Sequence, residues 1–265
     1  MSAILEVGDL RKSYAGVHAL DGVSFAVEAG SITGLIGPNG SGKSTAIDCI
    51  SGFQKLDGGK VELAGRDVTG RPPHMIARAG LMRTFQTVRV YERLSLRDNL
   101  AIAYQQFDPA TWVDEFLRTR RYRGAVEASE ARARELIELI GLGRYYEAET
   151  GILSYGQKKL VALAAALMPR PKIVVLDEPV AGVNPSRIRE IEAALRQLNQ
   201  AGETFLIVEH NVEFITNLCH RVIVLEQGRK LAEGTAQEIH ADPRVLEAYL
   251  GMTPEMAAAE MQGLA

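Results

Sequence analysis

The sequence predicts an α/β fold: a parallel sheet layered with helices, with a mostly helical block set into it. Three observations predict it. An apolar run at 32–36 is cut off by Gly37, Pro38, Asn39 and Gly40, and a helical pattern follows at 43–50. A second apolar run, Ile173-Val174-Val175-Leu176, ends on two carboxylates, Asp177 and Glu178. Strand-like and helix-like segments alternate on both sides of a block at 96–142, where charged residues interleave with Leu, Ile and Ala at helical spacing.

Taken in chain order, 4–7 and 23–27 read as short strands from their β-branched content and alternation, and 60–63 and 81–85 as further strands. The helical block is clearest at 128–139 and is punctuated by Gly141 and Gly143. A helix at 155–168 is stopped by Pro169 and Pro171. Then come a buried strand at 173–176, an amphipathic helix at 185–198, a strand at 204–208, a helix at 212–219 and a strand at 222–225. Gln227-Gly228 marks a hairpin turn into 230–232. The stretch 252–265 is weakly patterned, a short helix or a loose tail.

With 265 residues, 46% of them hydrophobic and 24% charged, the composition is that of a globular protein of one or two domains. A net charge of -3 leaves no basic footprint for nucleic acid. There is no polybasic stretch to hold the chain on anionic lipid. The opening residues already carry Glu6, Asp9, Arg11 and Lys12 and do not read as a signal peptide. The longest apolar run, 160–168, falls short of the roughly 20 residues of a membrane-spanning helix, so a transport role would need another polypeptide. Cys49 and Cys219 read as small core residues, with no metal-ligand cluster around them.

The segment Gly37-Pro38-Asn39-Gly40-Ser41-Gly42-Lys43-Ser44 fits G-x-x-x-x-G-K-[ST], with Thr45 next. Glycines let backbone N–H groups converge as an anion nest, and the following helix adds its positive N-terminus. Lys43 is placed to reach β- and γ-phosphates, and the Ser44 hydroxyl to bind Mg²⁺. Ligands of open parallel sheets sit at the carboxyl ends of strands. Asp177 is therefore placed to hold Mg²⁺, directly or through water. Glu178 is placed to polarise an attacking water as general base.

Further pieces carry a family resemblance. Leu153-Ser154-Tyr155-Gly156-Gln157 resembles the signature motif of ABC ATPases. Ser154 there is a good N-cap, which makes a second helix start suited to an anion. Gln86, in Arg83-Thr84-Phe85-Gln86, is similar to the Q-loop glutamine, and His210 to the switch histidine. Tyr14 stands where the family places an aromatic ring against adenine. The resemblance implies an ABC-type nucleotide-binding domain over 1–252: a P-loop NTPase core, a helical subdomain at about 87–158 and an N-terminal antiparallel β region, with 253–265 a tail.

It also implies two ATP-binding subunits packed head to tail. Ser154, Gly156 and Gln157 of one would complete the nucleotide site of the other. Gln86 would sense Mg²⁺ and the attacking water at the contact with a membrane subunit, and His210 would meet the γ-phosphate. Two positions depart from the commoner pattern: Tyr155, where Gly is commoner, and Asn184, where Asp is commoner. Both occur in the branched-chain amino-acid branch.

That branch is the finer resemblance. It rests on Arg83-Thr84-Phe85-Gln86 followed by Val90-Tyr91, on a long polar insert at 107–128, and on the segment 234–251. It implies an ATPase at the cytoplasmic face of the cell membrane. The second ATP-binding subunit would be a copy or a paralogue. The other partners would be integral permease subunits and, indirectly, an extracytoplasmic binding protein. The cargo would be Leu, Ile or Val. ATPases of urea and amide importers are close relatives. Lipopolysaccharide-export ATPases are also similar but lack the long insert. Soluble ABC ATPases of repair or translation form a different class, marked by a coiled-coil insertion or two motif sets, and this chain has neither.

Overall fold

The computed structural model describes residues 3–105, 107, 112–117 and 119–250. The expected tail at 253–265 and part of the insert at 107–128 lie outside the described residues. Two sheets organise the chain.

The first sheet is antiparallel, in the order β2-β1-β4-β5. It comprises β1 (Ala3–Tyr14), β2 (Val17–Glu28), β4 (Gly58–Leu63) and β5 (Arg66–Asp67). β1 and β2 are much longer than the strands predicted at 4–7 and 23–27. Their pairing shifts register between Val7 and Leu10, Leu10 and Arg11, and Lys12 and Ser13. Each irregularity resets the two-residue alternation, so the pattern fades in the sequence while the pairing continues.

The second sheet runs β10-β9-β3-β8-β7-β6. It comprises β3 (Ile32–Ile36), β6 (Leu81–Arg83), β7 (Ile173–Asp177), β8 (Phe205–Val208), β9 (Arg221–Glu226) and β10 (Arg229–Gly234). All neighbours are parallel except the β9–β10 hairpin, whose turn falls at Gln227-Gly228 as predicted. β6 ends at Arg83, short of the predicted 85, because the chain leaves the sheet edge there.

Both faces of this sheet are covered, which is why its strands read as continuous apolar runs. In β7, Val174 and Leu176 join one buried cluster while Ile173 and Val175 join the other. β8 divides the same way, Phe205 and Ile207 against Leu206 and Val208.

Helix α1 (Lys43–Ile50) lies between the sheets, burying Ala46, Ile47 and Ile50. The opposite face carries α3 (Leu96–Gln105), α5 (Arg120–Leu139), α6 (Tyr155–Leu167), α7 (Pro185–Gln200) and α8 (Val212–Leu218). Between α3 and α5 sits the short α4 (Trp112–Phe116). The helical block shares its core with the sheet: Leu96, Leu100, Leu136 and Ile137 belong to the same cluster as Val174 and Phe205. Three helices have no counterpart in the sequence reading: α2 (Pro73–Ala79), α9 (Ala236–Ala241) and α10 (Pro243–Leu250). Each is about two turns long, too short for helical periodicity to register. Both cysteines are buried and free, and burial raises their thiols to about 11 for Cys49 and about 12 for Cys219.

Candidate functional site

The loop leaving β3 is shaped by backbone. A Cβ on Gly37 would collide with the carbonyl of Leu225, and one on Gly42, at φ 102°, would sit 2.5 Å from that of Ala19. Only glycine fits at both. The hairpin turn behind the loop braces it: the Gly228 N–H donates to Ser41 O at 3.0 Å, and Gly228 O accepts from the Asp21 N–H at 2.7 Å. Helix α1 then starts with Gly42 as its cap, no side-chain cap and no acidic residue in its first turn. Its first N–H groups are left for a ligand, and the helix end favours an anion.

Lys43 Nζ donates to the carbonyls of Gly37 and Pro38 at 2.7 and 2.9 Å. Burial lowers its pKa, and the charge of Glu178 opposes that shift. Ser41 Oγ is buried with no hydrogen-bond partner among the described residues. Asn39, Gly40 and Ser44 are exposed along the mouth, with Pro38 and Thr45 partly covered. Tyr14, at the end of β1, is 43% exposed, with Lys12 Nζ 5.2 Å from its ring centre. Tyr14 pairs with Val17, in the hairpin whose Ala19 carbonyl abuts Gly42 of the loop.

Two strands away, β7 delivers Asp177 and Glu178. Glu178 stands at φ 49°, left-handed backbone that is uncommon for a non-glycine residue. Its N–H donates to Val208 O at 2.9 Å. Gln86 Nε2 donates to Glu178 Oε2 at 2.8 Å, and His210 Nδ1 lies 3.8 Å from Oε1. Three predicted residues from three separate strand ends thus meet at one carboxylate.

Arg83 was not among the residues predicted for the site. Its guanidinium donates to Asp48 Oδ1 at 2.6 Å, Ser51 Oγ at 3.1 Å and Asp177 Oδ2 at 2.9 Å. It lies 5.6 and 5.3 Å from the ring centres of Phe53 and Phe85, which pack edge to face. One cation thus ties α1 to the end of β7. The signal for it is a charge closing the apolar run Leu81-Met82.

Glu209, 1% exposed, was also missed. Its carboxylate accepts from the N–H groups of Val180 at 3.0 Å, His210 at 2.9 Å and Asn211 at 3.2 Å. It fixes the loops that present Glu178 and His210. Lys159, on α6, donates to the carbonyl oxygen of Glu178 at 2.7 Å.

The signature residues stand apart. Ser154 caps α6 through a capping box: Gln157 N–H donates to Ser154 Oγ at 3.4 Å, and Ser154 N–H to Gln157 Oε1 at 2.9 Å. Gly156 lies against Val183. None of the three hydrogen-bonds to the phosphate loop among the described residues.

The residues present fit a magnesium nucleotide. The loop offers unpaired N–H groups and an ammonium, and Asp177 Oδ1 and Ser44 are hard oxygen donors. No group of three or more His, Cys, Asp or Glu able to hold a metal occurs among the described residues. Mg²⁺ characteristically takes one or two protein oxygens and draws its remaining ligands from substrate phosphates and water. No described helix is long and apolar enough to cross a membrane.

Comparison with known proteins gives the same direction. Residues 20–181 match the ABC transporter family, and 229–251 match the branched-chain amino acid ATP-binding cassette transporter family. The chain is 34% identical over 249 residues to the high-affinity branched-chain amino acid transport ATP-binding protein BraF of Pseudomonas aeruginosa, covering 94% of this chain and 98% of that one. It is 38% identical over 250 residues to a probable branched-chain amino acid transport ATP-binding protein, LivG, of Archaeoglobus fulgidus, covering 94% and 95%. The solved ADP conformation of an ATP-binding cassette of an ABC transporter superposes with a TM-score of 0.81 at 34% identity, over 95% of this chain and all of that one.

Proposed function

Because the chain belongs to the ABC transporter family, among the ATP-binding proteins of branched-chain amino acid transport, we propose that it is the ATP-hydrolysing subunit of an importer for Leu, Ile or Val. The observation that carries the hydrolytic reading is the Glu178 carboxylate, held by Gln86 at 2.8 Å and faced by His210 at 3.8 Å.

In this reading the α1 N–H groups and Lys43 bind the phosphates of ATP, and Tyr14 stacks on the adenine. Lys43 exchanges the two loop carbonyls for phosphate oxygens, which are stronger, charge-assisted acceptors. Glu178 accepts a proton from the attacking water, Gln86 orients that water, and His210 meets the γ-phosphate. Ser44, Asp177 and Gln86 would hold Mg²⁺, which supplies charge neutralisation on the β- and γ-phosphate oxygens. Arg83 fixes the Asp177 carboxylate through its Oδ2 at 2.9 Å, and Oδ1 would be the oxygen offered to the metal.

The signature acts in trans. Ser154 and Gly156 offer donors to nucleotide bound by a second ATP-binding subunit, a copy or a paralogue, and Gln157 shapes the helix start that presents them. Integral permease subunits would dock beside the Q-loop. A groove of about 550 Å³ opens there between α3 and α6, lined by Arg89, Val90, Tyr91, Ile102 and Ala165 among others. Tyr91, at 59% exposure, is an apolar anchor of the kind that buries well against a partner helix. The subunit would then sit at the cytoplasmic face of the membrane, served indirectly by an extracytoplasmic binding protein.

The test is capture of tagged Glu178→Gln protein with ATP from detergent-solubilised native membranes, read by mass spectrometry. Hydrophobic permease subunits of an amino-acid importer are expected, with any second ATPase alongside. Recovery of soluble proteins or nucleic acid alone would overturn the transport reading.

A further inference from the structure

We propose that Lys159 is a positioning residue for Glu178: it fastens the general base to the helix that opens with the signature, so that nucleotide engaged by the signature is felt at this chain's own hydrolytic centre. The second half of that statement rests on the dimer reading above.

The first observation is the bond itself. The carbonyl of Glu178 accepts from the Ala181 N–H at 3.2 Å, a turn contact, and from Lys159 Nζ at 2.7 Å. No other side chain donates to it among the described residues. Left-handed backbone at a non-glycine residue persists only where its surroundings over-determine it. At Glu178 those surroundings are β8, the turn and Lys159.

The second observation is what Lys159 does not do. Burial lowers its pKa, and the charges of three nearby carboxylates, those of Glu209, Glu178 and Asp177, oppose that shift. Each carboxylate is held by other donors: Asp177 by Arg83, Glu178 by Gln86, and Glu209 by three backbone N–H groups. Among the described residues the ammonium makes no ion pair, and it spends its hydrogen bond on the main chain. A half-buried charge without a paired counter-charge is a poor stabilising device. It is a good tether, because it meets a neutral acceptor whose position it can set.

The third observation is the lever. α6 touches the loop after β7 at several points. Lys159 holds Glu178. The Tyr155 ring lies against Gly182, where a Cβ would come within 3.4 Å of it, and Gly156 sits equally close to Val183, at 3.3 Å by the same measure. Lys159 Nζ is also 5.6 Å from the centre of the Tyr155 ring. The first turns of α6 therefore carry the signature at one end and the backbone of Glu178 at the other. A hydrogen-bonded helix transmits a tilt along its length, so movement of Ser154 onto a partner's nucleotide shifts Lys159 and, with it, Glu178.

The experiment uses the purified full chain and measures ATP turnover against ATP concentration. It is run alongside nucleotide affinity by titration calorimetry and ATP-driven dimerisation by light scattering. Lys159→Met is expected to lower kcat roughly 10- to 100-fold, the scale of a reacting group misplaced by about 1 Å. It should leave ATP affinity and thermal melting near wild type, and the cooperativity of turnover in ATP should fall. Lys159→Arg keeps a donor of similar reach and should recover most of the rate. Wild-type kcat in Lys159→Met would overturn the proposal. So would equal losses in kcat and ATP affinity, or failure of a folded Lys159→Arg to recover any rate. Failure of the dimer reading shows separately, as wild-type protein that does not dimerise with ATP.

Discussion

The phosphate loop and the signature are both helix starts suited to an anion, yet they are built in opposite ways. The start of α1 has no side-chain cap, glycines jammed against the carbonyls of Leu225 and Ala19, and a hairpin turn at its back. The start of α6 caps itself with Ser154 and Gln157 and stands in solvent, with Tyr155 45% exposed. An uncapped start keeps its N–H groups for a ligand, so the first start can take phosphate as soon as the chain folds. A self-capped start is stable alone. The Ser154 hydroxyl accepts from the Gln157 N–H at a long 3.4 Å, so a stronger partner can draw it away. In the reading proposed above, the first is a site and the second is half of one.

The largest effect that would separate the two comes from Glu178→Gln. Turnover should fall roughly 10²- to 10⁴-fold, the usual loss for a general base, while ATP binding and dimerisation persist. Steady-state phosphate release checks it, and a normal rate would remove Glu178 from the role. Next is Arg83→Leu. It strands Asp48 and Asp177, and breaking a buried pair from one side typically costs about 3–5 kcal/mol. The lower end is expected, because the Asp48 side chain is 32% exposed. Urea denaturation measures it, and a change within about 0.5 kcal/mol, the scale of an ordinary surface substitution, would deny that Arg83 braces the loop side. Ser154→Ala removes a cap worth about 1 kcal/mol. It should weaken ATP-driven dimerisation while sparing the monomer's affinity for ATP. Equal losses in both would erase the distinction between site and half-site.

The smallest effect concerns the cysteines. Burial raises Cys49, on α1, to about 11 and Cys219 to about 12. A raised thiol pKa contributes stability that is full below the unfolded value of about 8.5 and is lost as pH climbs through the folded values. Alkylation at pH 8 should therefore be slow in the folded chain and fast after unfolding, and rapid labelling of Cys49 in the native protein would mean that α1 opens.

Much of the candidate site was legible because its chemistry is written in contiguous residues. Gly37 to Ser44 is one segment, and Leu153 to Gln157 another. Asp177 and Glu178 end a strand whose two buried faces make it a plain apolar run. Partnerships across the sheet were not legible. Arg83 joins Asp177, Glu209 joins Val180, and Lys159 joins Glu178, each through the fold and with no local pattern to mark it. The fold was legible where periodicity ran undisturbed, as at β3, whose predicted bounds match. It blurred in β1 and β2, where bulges reset the alternation. The helices α9 and α10 were missed, although Thr235 and Glu238 form a capping box that the sequence spells out.

The bond from Gly228 to Ser41 has a consequence for synthesis. β3, which feeds the phosphate loop, is the third strand of the chain, but its sheet neighbours β8 and β9 lie far along it, at Phe205–Val208 and Arg221–Glu226. Such distant pairings are slow to form, because chain entropy is lost before the contacts reward it. On the ribosome the loop emerges early and lacks its neighbours until residue 228 is out. A chain interrupted before that point would carry every residue of the loop and none of the backing that gives it shape. Nucleotide capture should accordingly begin only once residue 228 has emerged.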